Sequence, residues 1–303
     1  MLSIVACLRH PATANDFGRV NQLLQKTIDS LKNQSNQNFQ LIIVCNEGTK
    51  LSINTGDIDT QLIFVDFPPT EKVEVVDDET QLQQWNNVRK DKGTKYLTGL
   101  NTALSNDAEF IAFIDADDYL HKDLVTYIYD NKDKNDGFII NKGFGYKLDS
   151  NIVYEIHPFH HSCGTCNVYR ANLFKPYLNN ASFANQNSLL SSVDDFITYD
   201  ILGSHKHANE LFEKVGATYN YIPFEAAMYI VDNGENDSGI SQVTYKAQPL
   251  TKAIIDNFSL QTQLSNPLAI KLELLKHYCR TSIKKNNQSK LIRAAVRLKQ
   301  KLN

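Results

Sequence analysis

The sequence predicts an α/β fold, with a mostly parallel central sheet, flanking helices and a basic helical segment at the C-terminal end. Three observations predict it. Short apolar runs alternate with stretches of helical spacing. The run Glu109–Ile114 leads straight into Asp115-Ala116-Asp117-Asp118. Lys271–Lys301 holds ten Lys or Arg and one acid, Glu273.

Each element follows in order. Leu2–Leu8 is a short apolar run of the kind that forms a buried strand, closed by the polar, Pro-containing stretch Arg9–Asp16. Val20, Leu23, Leu24, Thr27, Ile28 and Leu31 recur at helical spacing, and Phe39–Cys45 and Gln61–Val65 read as the next two strands. The acidic stretch Glu71–Gln84 lacks periodicity and is expected as a loop or lid; a helix over Trp85–Leu104 and the strand Glu109–Ile114 follow. Beyond Asp123 the pattern predicts a helix to Asp130, a strand at Gly137–Asn141 and an irregular, histidine-bearing region. Helices are expected at Leu189–Leu202 and Ala208–Val215, strands at Tyr219–Pro223 and Ala226–Val231, and a polar loop at Asp232–Gly239. Leu268, Leu272, Leu275, Ile283, Leu291, Ile292, Ala295, Val296 and Leu298, set among basic residues, predict one or two amphipathic helices.

Composition narrows the function classes. With 303 residues, 42% hydrophobic and 21% charged, the chain is expected to fold as one large α/β domain with a smaller appendage. The net charge of −3 combines a basic tail with an acidic body, so the body offers no global charge suited to nucleic acid. Cys7, Cys45, Cys163, Cys166 and Cys279 make a poor disulfide framework and point to a reducing compartment. The opening MLSIVACLRHPA is too short for a signal h-region and no run approaches a spanning helix, so a cytoplasmic protein is expected.

The chemistry concentrates at Asp115–Asp118. Three acids in four residues at the carboxyl end of a parallel strand repel one another without a cation, and hard carboxylate oxygens suit Mg²⁺ or Mn²⁺. Capping of the following helix accounts for one of them, Asp118 best of all. The expected metal ligands are Asp115 and Asp117.

Lys92-Gly-Thr-Lys95, Leu100-Asn-Thr-Ala-Leu104 and Phe110–Asp118 together resemble the segment that leads to and includes the DXD motif of glycosyltransferase family 2 and its GT-A relatives. Leu2–Leu8 resembles that family's first strand, and Leu41–Gly48 its second, where Asn46-Glu47 stands in place of the common Asp-Asp pair. The resemblance implies a GT-A domain over 1–240, with a nucleotide-binding half to about 120 and an acceptor half beyond, and a helical extension over 241–303, basic from about 265. It implies donor contacts at Leu8, Arg9, Lys92, Lys95, Asp115 and Ala116, and a nucleobase contact from Glu47 or Asp66. Cys163–Arg170 resembles the acceptor-side strand, and Ser192-Val-Asp-Asp195 the acidic pair whose carboxylate, Asp194 or Asp195, supplies the base of inverting members; a helix cap is an equal use for either. Met228–Ser238 resembles a late metal- or diphosphate-contacting segment, here without histidine.

The implied activity is transfer of a sugar from a nucleotide sugar, a UDP-sugar favoured, to a saccharide or lipid-linked hydroxyl acceptor, in bacterial surface polysaccharide or lipopolysaccharide assembly. Other constellations carry weaker readings. His157, His160 and His161 with Cys163 and Cys166 can be drawn as a zinc site, but the lone CxxC lacks a second pair and packing is the simpler account. His205 and His207 read as a surface loop, and Trp85 as packing. The tail suits either peripheral contact with an anionic membrane or docking on the body. The competing functions are a nucleotidyltransferase, against which Leu8–Gly18 carries a single glycine, and a non-catalytic scaffold binding membrane or nucleic acid.

Overall fold

The computed structural model describes residues 1–207, 209–235 and 245–282. Residue 208, part of the loop expected at 232–239 and the tail beyond 282 lie outside them. The strands are β1 Leu2–Cys7, β2 Phe39–Asn46, β3 Asp59–Val65, β4 Phe110–Asp115, β5 Tyr119–Leu120, β6 Gly137–Ile139, β7 Gly143–Tyr146, β8 Ile152–Ile156, β9 Asn167–Arg170, β10 Asn220–Tyr221, β11 Ala227–Ile230 and β12 Lys246–Pro249. The α-helices are α1 Phe17–Lys32, α2 Asp78–Ser105, α3 Leu124–Asn131, α4 Lys175–Leu178, α5 Gln186–Ser192, α6 Glu210–Val215, α7 Lys252–Phe258 and α8 at 267–282; a π-helical segment spans Phe196–Leu202.

The first sheet has the order β10-β6-β9-β4-β1-β2-β3, parallel except that β9 runs against β4 and β6. Alternation along the strands assigns its two faces. Leu2, Ile4, Ala6 and Leu8 pack on the side of Val20, Leu24, Ile28 and Leu31 of α1, while Val5 turns to Tyr96, Leu97 and Leu100 of α2. Leu41, Ile43 and Cys45 join the α1 side, and Ile42 and Val44 the α2 side. Because β1 lies between β2 and β4, the chain reverses its direction of travel across the sheet at β1. The carboxyl ends of β1 and β4, with Cys7 opposite Asp115, form a topological switch point, where open α/β sheets hold ligands.

A second sheet, β12-β8-β7-β11-β5, is mainly antiparallel; of its strands the sequence marked only β11, expected at Ala226–Val231. Strands β7 and β8 occupy the region expected to be irregular, because runs of four and five residues, with Gly143 and Gly145 in the first, leave no periodicity to read. Strand β12 lies beyond residue 240, so the segment expected as a wholly helical extension also completes this sheet. Helix α2 begins at Asp78, earlier than expected. Asp77 and Thr80 form a reciprocal capping box, the Asp77 carboxylate accepting from Thr80 N at 2.9 Å and the Thr80 hydroxyl from Asp77 N at 3.1 Å. The first turns bury little, with Leu82 and Trp85 half exposed, and therefore lack the apolar stripe that marks a helix. The helix expected over Leu189–Leu202 is instead α5 and the π-helical segment, separated at Val193–Asp195. No helix among the described residues is long and apolar enough to cross a membrane.

The π-helical segment is seated on α2 at Gly93, where a Cβ would stand 2.0 Å from the Thr198 carbonyl oxygen. Gly93→Ala must push the two backbones apart. We expect a loss of about 1–3 kcal/mol, read in thermal denaturation as a Tm lowered by several degrees.

Candidate active site at the ends of the first and fourth strands

Apolar strand β4 ends at Asp115, and the tight turn that follows, with Asp118 N donating to Asp115 O at 3.2 Å, gathers three carboxylates. They occupy different environments. Asp118 is fully buried: one oxygen accepts from Cys163 Sγ at 2.9 Å and Thr165 Oγ1 at 2.5 Å, the other from Ile230 N at 3.2 Å. It joins the turn to the start of β9 and to β11. Burial, with Asp117 and Asp115 nearby, pushes its carboxyl well above the usual range despite those donors. The same burial, together with Asp118, raises the Cys163 thiol. Thr165 also accepts from Asp115 N at 2.9 Å and so bridges the two ends of the acidic group.

Asp115 is partly exposed and ion-paired with Lys92 of α2. Burial works against both charges, but each partner overrides it for the other: the Asp115 carboxyl lies below its usual range and the Lys92 ammonium above its own. Tyr96 OH donates to Ile114 O at 2.7 Å and lies 3.4 Å from the same carboxylate. Gly164 passes so close that a Cβ there would meet Asp115 Oδ2 at 2.5 Å and Lys92 Nζ at 2.6 Å. Asp117 accepts from Asn233 Nδ2 at 2.7 Å, yet burial and the Asp115 charge push its carboxyl up to about 6.

The loop after β1 forms the opposite wall. Lys95, without exposed surface, donates to Leu8 O at 2.8 Å and Asp91 Oδ2 at 2.9 Å. Expected as a donor contact, it is enclosed, and what it holds is the backbone at Leu8. Arg9 pairs with Glu235 at 3.2 Å; Glu235 also accepts from Asp16 N at 2.8 Å and Asn15 N at 3.2 Å, while Arg19 Nε donates to Asn233 O at 3.4 Å. The segment Asn233–Glu235 therefore spans from Asp117 to the β1 loop. The sequence reading drew attention to this stretch but not to Asn233 or Glu235, since neither stands in a recognisable spacing.

The remaining expected residues are dispersed. Ala116 is partly buried, its carbonyl accepting from Thr27 Oγ1 at 3.0 Å. Glu47 and Asp66 are exposed at the ends of β2 and β3, two and three strands from β4, roughly 10 and 14 Å across the sheet at about 4.8 Å per strand. Asn46 donates to Phe67 O at 2.8 Å, and its buried Oδ1 has no hydrogen-bond partner. Asp194 and Asp195 are exposed at the opening of the π-helical segment; Asp194 accepts from Phe196 N at 2.9 Å, a capping contact. Of the histidines, His160 and His161 meet edge to face with ring centroids 4.4 Å apart, and His207 lies 2.6 Å from Glu210. His205, enclosed and close to both Lys92 and Asp115, bonds the His161 backbone; burial and the Lys92 charge hold its imidazole down to about 4. Trp85 carries Lys206 over its ring at 5.2 Å.

Among the described residues, the group of potential metal ligands that converges is Asp115, Asp118 and Cys163, with one atom of each within 4.8 Å of the others. His157, His160 and His161, for which packing was the simpler account than zinc, are not in it. Asp118 and Cys163 already engage one another, and a thiol suits a hard cation poorly. Asp115 and Asp117 keep the partly exposed oxygens, and the excess negative charge at Asp117 fits a divalent ion there.

Fold and site together define an α/β protein with a mostly parallel central sheet, flanking helices and an acidic cluster at the switch point. No protein-family model and no curated protein matches the chain. Among solved structures it is similar to S. aureus TarS 1–349 in complex with UDP, at 12% identity and a TM-score of 0.46 over 76% of this chain. The complex of the same protein with UDP-GlcNAc matches at 12% identity and 0.43 over 80%. This chain spans 60% of the length of those TarS structures. A Desulfovibrio desulfuricans G20 protein assigned as a nucleotide-diphospho-sugar transferase matches at 12% identity and 0.34, over 76% of this chain and 82% of its own.

Two predictions follow from the electrostatics. Lys95→Met strands the Asp91 carboxylate and should cost about 3–5 kcal/mol, whereas Lys95→Met with Asp91→Asn should recover most of it, measured by chemical denaturation. Asp117, with its folded pKa above the unfolded value, loses stability as pH rises from about 4 through about 6. Asp117→Asn should therefore raise the Tm of the metal-free protein by about 2–4 °C at pH 8 and leave it unchanged at pH 4.

Proposed function

We propose that this chain is a GT-A type glycosyltransferase that moves a hexose or related sugar from a nucleotide sugar to a hydroxyl acceptor, with inversion and with Mn²⁺ or Mg²⁺. The observation that carries this reading is the grouping of Asp115, Asp117 and Lys92 at the switch point. It supplies two partly exposed carboxylates for a divalent cation and one ammonium for a phosphate, on the rim where parallel sheets present nucleotides.

The ion, held by Asp115 and Asp117, would neutralise charge developing on the leaving diphosphate. Lys92, kept protonated beside Asp115, adds a fixed positive charge, and Arg9, anchored by Glu235, flanks the same end of β1. Glu47 and Asp66 stand one nucleoside's reach away along the strand ends, where either can accept an imide N–H of the base. Gly164, without a side chain, lets Asp115 and Lys92 sit against the backbone before β9. Asp195 takes the acceptor hydroxyl proton as that oxygen bonds to the anomeric carbon and the bond to the diphosphate oxygen breaks. Asp194, occupied with Phe196 N, holds the segment that presents it. The sequence resemblance favours a UDP-sugar, a saccharide or lipid-linked acceptor, and work on the cytoplasmic side in surface polysaccharide assembly.

The test is thermal shift and donor hydrolysis across UDP-, GDP-, CMP- and dTDP-sugars, with and without Mn²⁺. One base should raise Tm by about 2 °C or more only with metal. Asp117→Ala should abolish that response. Asp195→Ala should keep it and lower transfer to an acceptor by about 10²–10⁴-fold. Absence of any donor response would reject the transferase and leave the scaffold reading.

A further inference from the structure

Helix α8 has two unlike faces. The inner one carries Glu273, Leu274 and His277. Glu273 accepts from Ser150 Oγ at 2.6 Å, Asn151 N at 3.0 Å and Asn151 Nδ2 at 2.8 Å, and His277 Nε2 lies 2.9 Å from Tyr245 O. Leu274 packs on Ile152, Tyr154 and Ala247. These contacts fix the helix to the β12–β8 edge of the second sheet, the edge opposite β5 and the acidic turn.

The outer face is apolar, and its leucines are exposed among the described residues. Leu268, Leu272 and Leu275 are 63%, 49% and 60% exposed. At about 100° per residue they fall within roughly 60° of one another, and exposed Lys271 and Lys276 flank them. A run of exposed leucines on one helix face is unlike the scattered apolar residues of an ordinary surface.

We propose that this stripe seats the protein on an anionic lipid bilayer, with the leucines at the acyl boundary and Lys271 and Lys276 against the headgroup phosphates. Charge selects the occupant. Glu273 is the only acid between Lys271 and Lys301, and it is consumed on the inner face, so the exposed charges of the helix, Lys271, Lys276 and Arg280, are all positive. A second copy laid stripe on stripe would bring lysine against lysine. The chain's own residues 283–303 hold seven Lys or Arg and no acid, and would repel it in the same way. An anionic headgroup layer matches both the apolar stripe and its flanks, and this inference stands whether or not the transferase reading does.

The full chain should co-sediment with phosphatidylcholine–phosphatidylglycerol vesicles about tenfold better than with phosphatidylcholine alone, and the preference should fall as salt rises. The exposed triple variant L268S/L272S/L275S should keep the wild-type Tm and lose that binding about tenfold, and K271E/K276E should lose the phosphatidylglycerol preference. Equal partition to both vesicles overturns the proposal. Wild-type binding by the triple variant also overturns it and assigns membrane contact to 283–303. A concentration-dependent dimer that the triple variant abolishes would assign the stripe to a second copy.

Discussion

Lys92 reaches from α2 to the carboxylate at the end of β4, and the arrangement of the site depends on that ion pair. Three carboxylates lie within four residues, and each is handled differently: Asp115 by a cation, Asp118 by the thiol, hydroxyl and amide donors around it, Asp117 by a single side-chain amide. The imbalance left at Asp117 is the physical ground for proposing a divalent ion at this place. On that proposal stability and binding are opposed, because the charge that weakens the fold is the charge a cation would offset.

Remote segments converge to build this electrostatic arrangement. Helix α2 supplies Lys92, and one turn later Lys95, which holds Leu8 O and so places the loop carrying Arg9. The segment at Asn233–Glu235 ties that loop to Asp117 from more than one hundred residues away in sequence. Gly93 lets the π-helical segment, which Asp195 precedes, lie against α2 at Thr198. Packing and chemistry are therefore not separable in this half of the molecule: the glycine, the buried lysine and the buried aspartate act by placing neighbours.

The second sheet connects this centre to the periphery. Its β11 gives the Ile230 amide to Asp118, while its far edge, β8 and β12, holds α8 through Glu273. One sheet thus sets the acidic turn at one side and a basic, leucine-striped helix at the other.

The sequence alone determined the parallel half of the fold, because long apolar strands and the α1 stripe bury side chains at fixed periods, and periods are local. It also located the acids at the end of β4, since like charges crowded after an apolar strand are readable without neighbours. It marked the amphipathic character of the helix at 267–282 on the same ground. Tertiary structure decided the rest. Short strands of the second sheet have no period, the exposed first turns of α2 have no stripe, and the separate environments of Asp115, Asp117 and Asp118 come from Lys92, Asn233, Cys163 and Thr165, which approach only when distant segments pack. Lys95 shows the division most clearly: its residue type signals a charge at a ligand, whereas its burial makes it the clamp on Leu8, and burial is a property of the fold rather than of the residue.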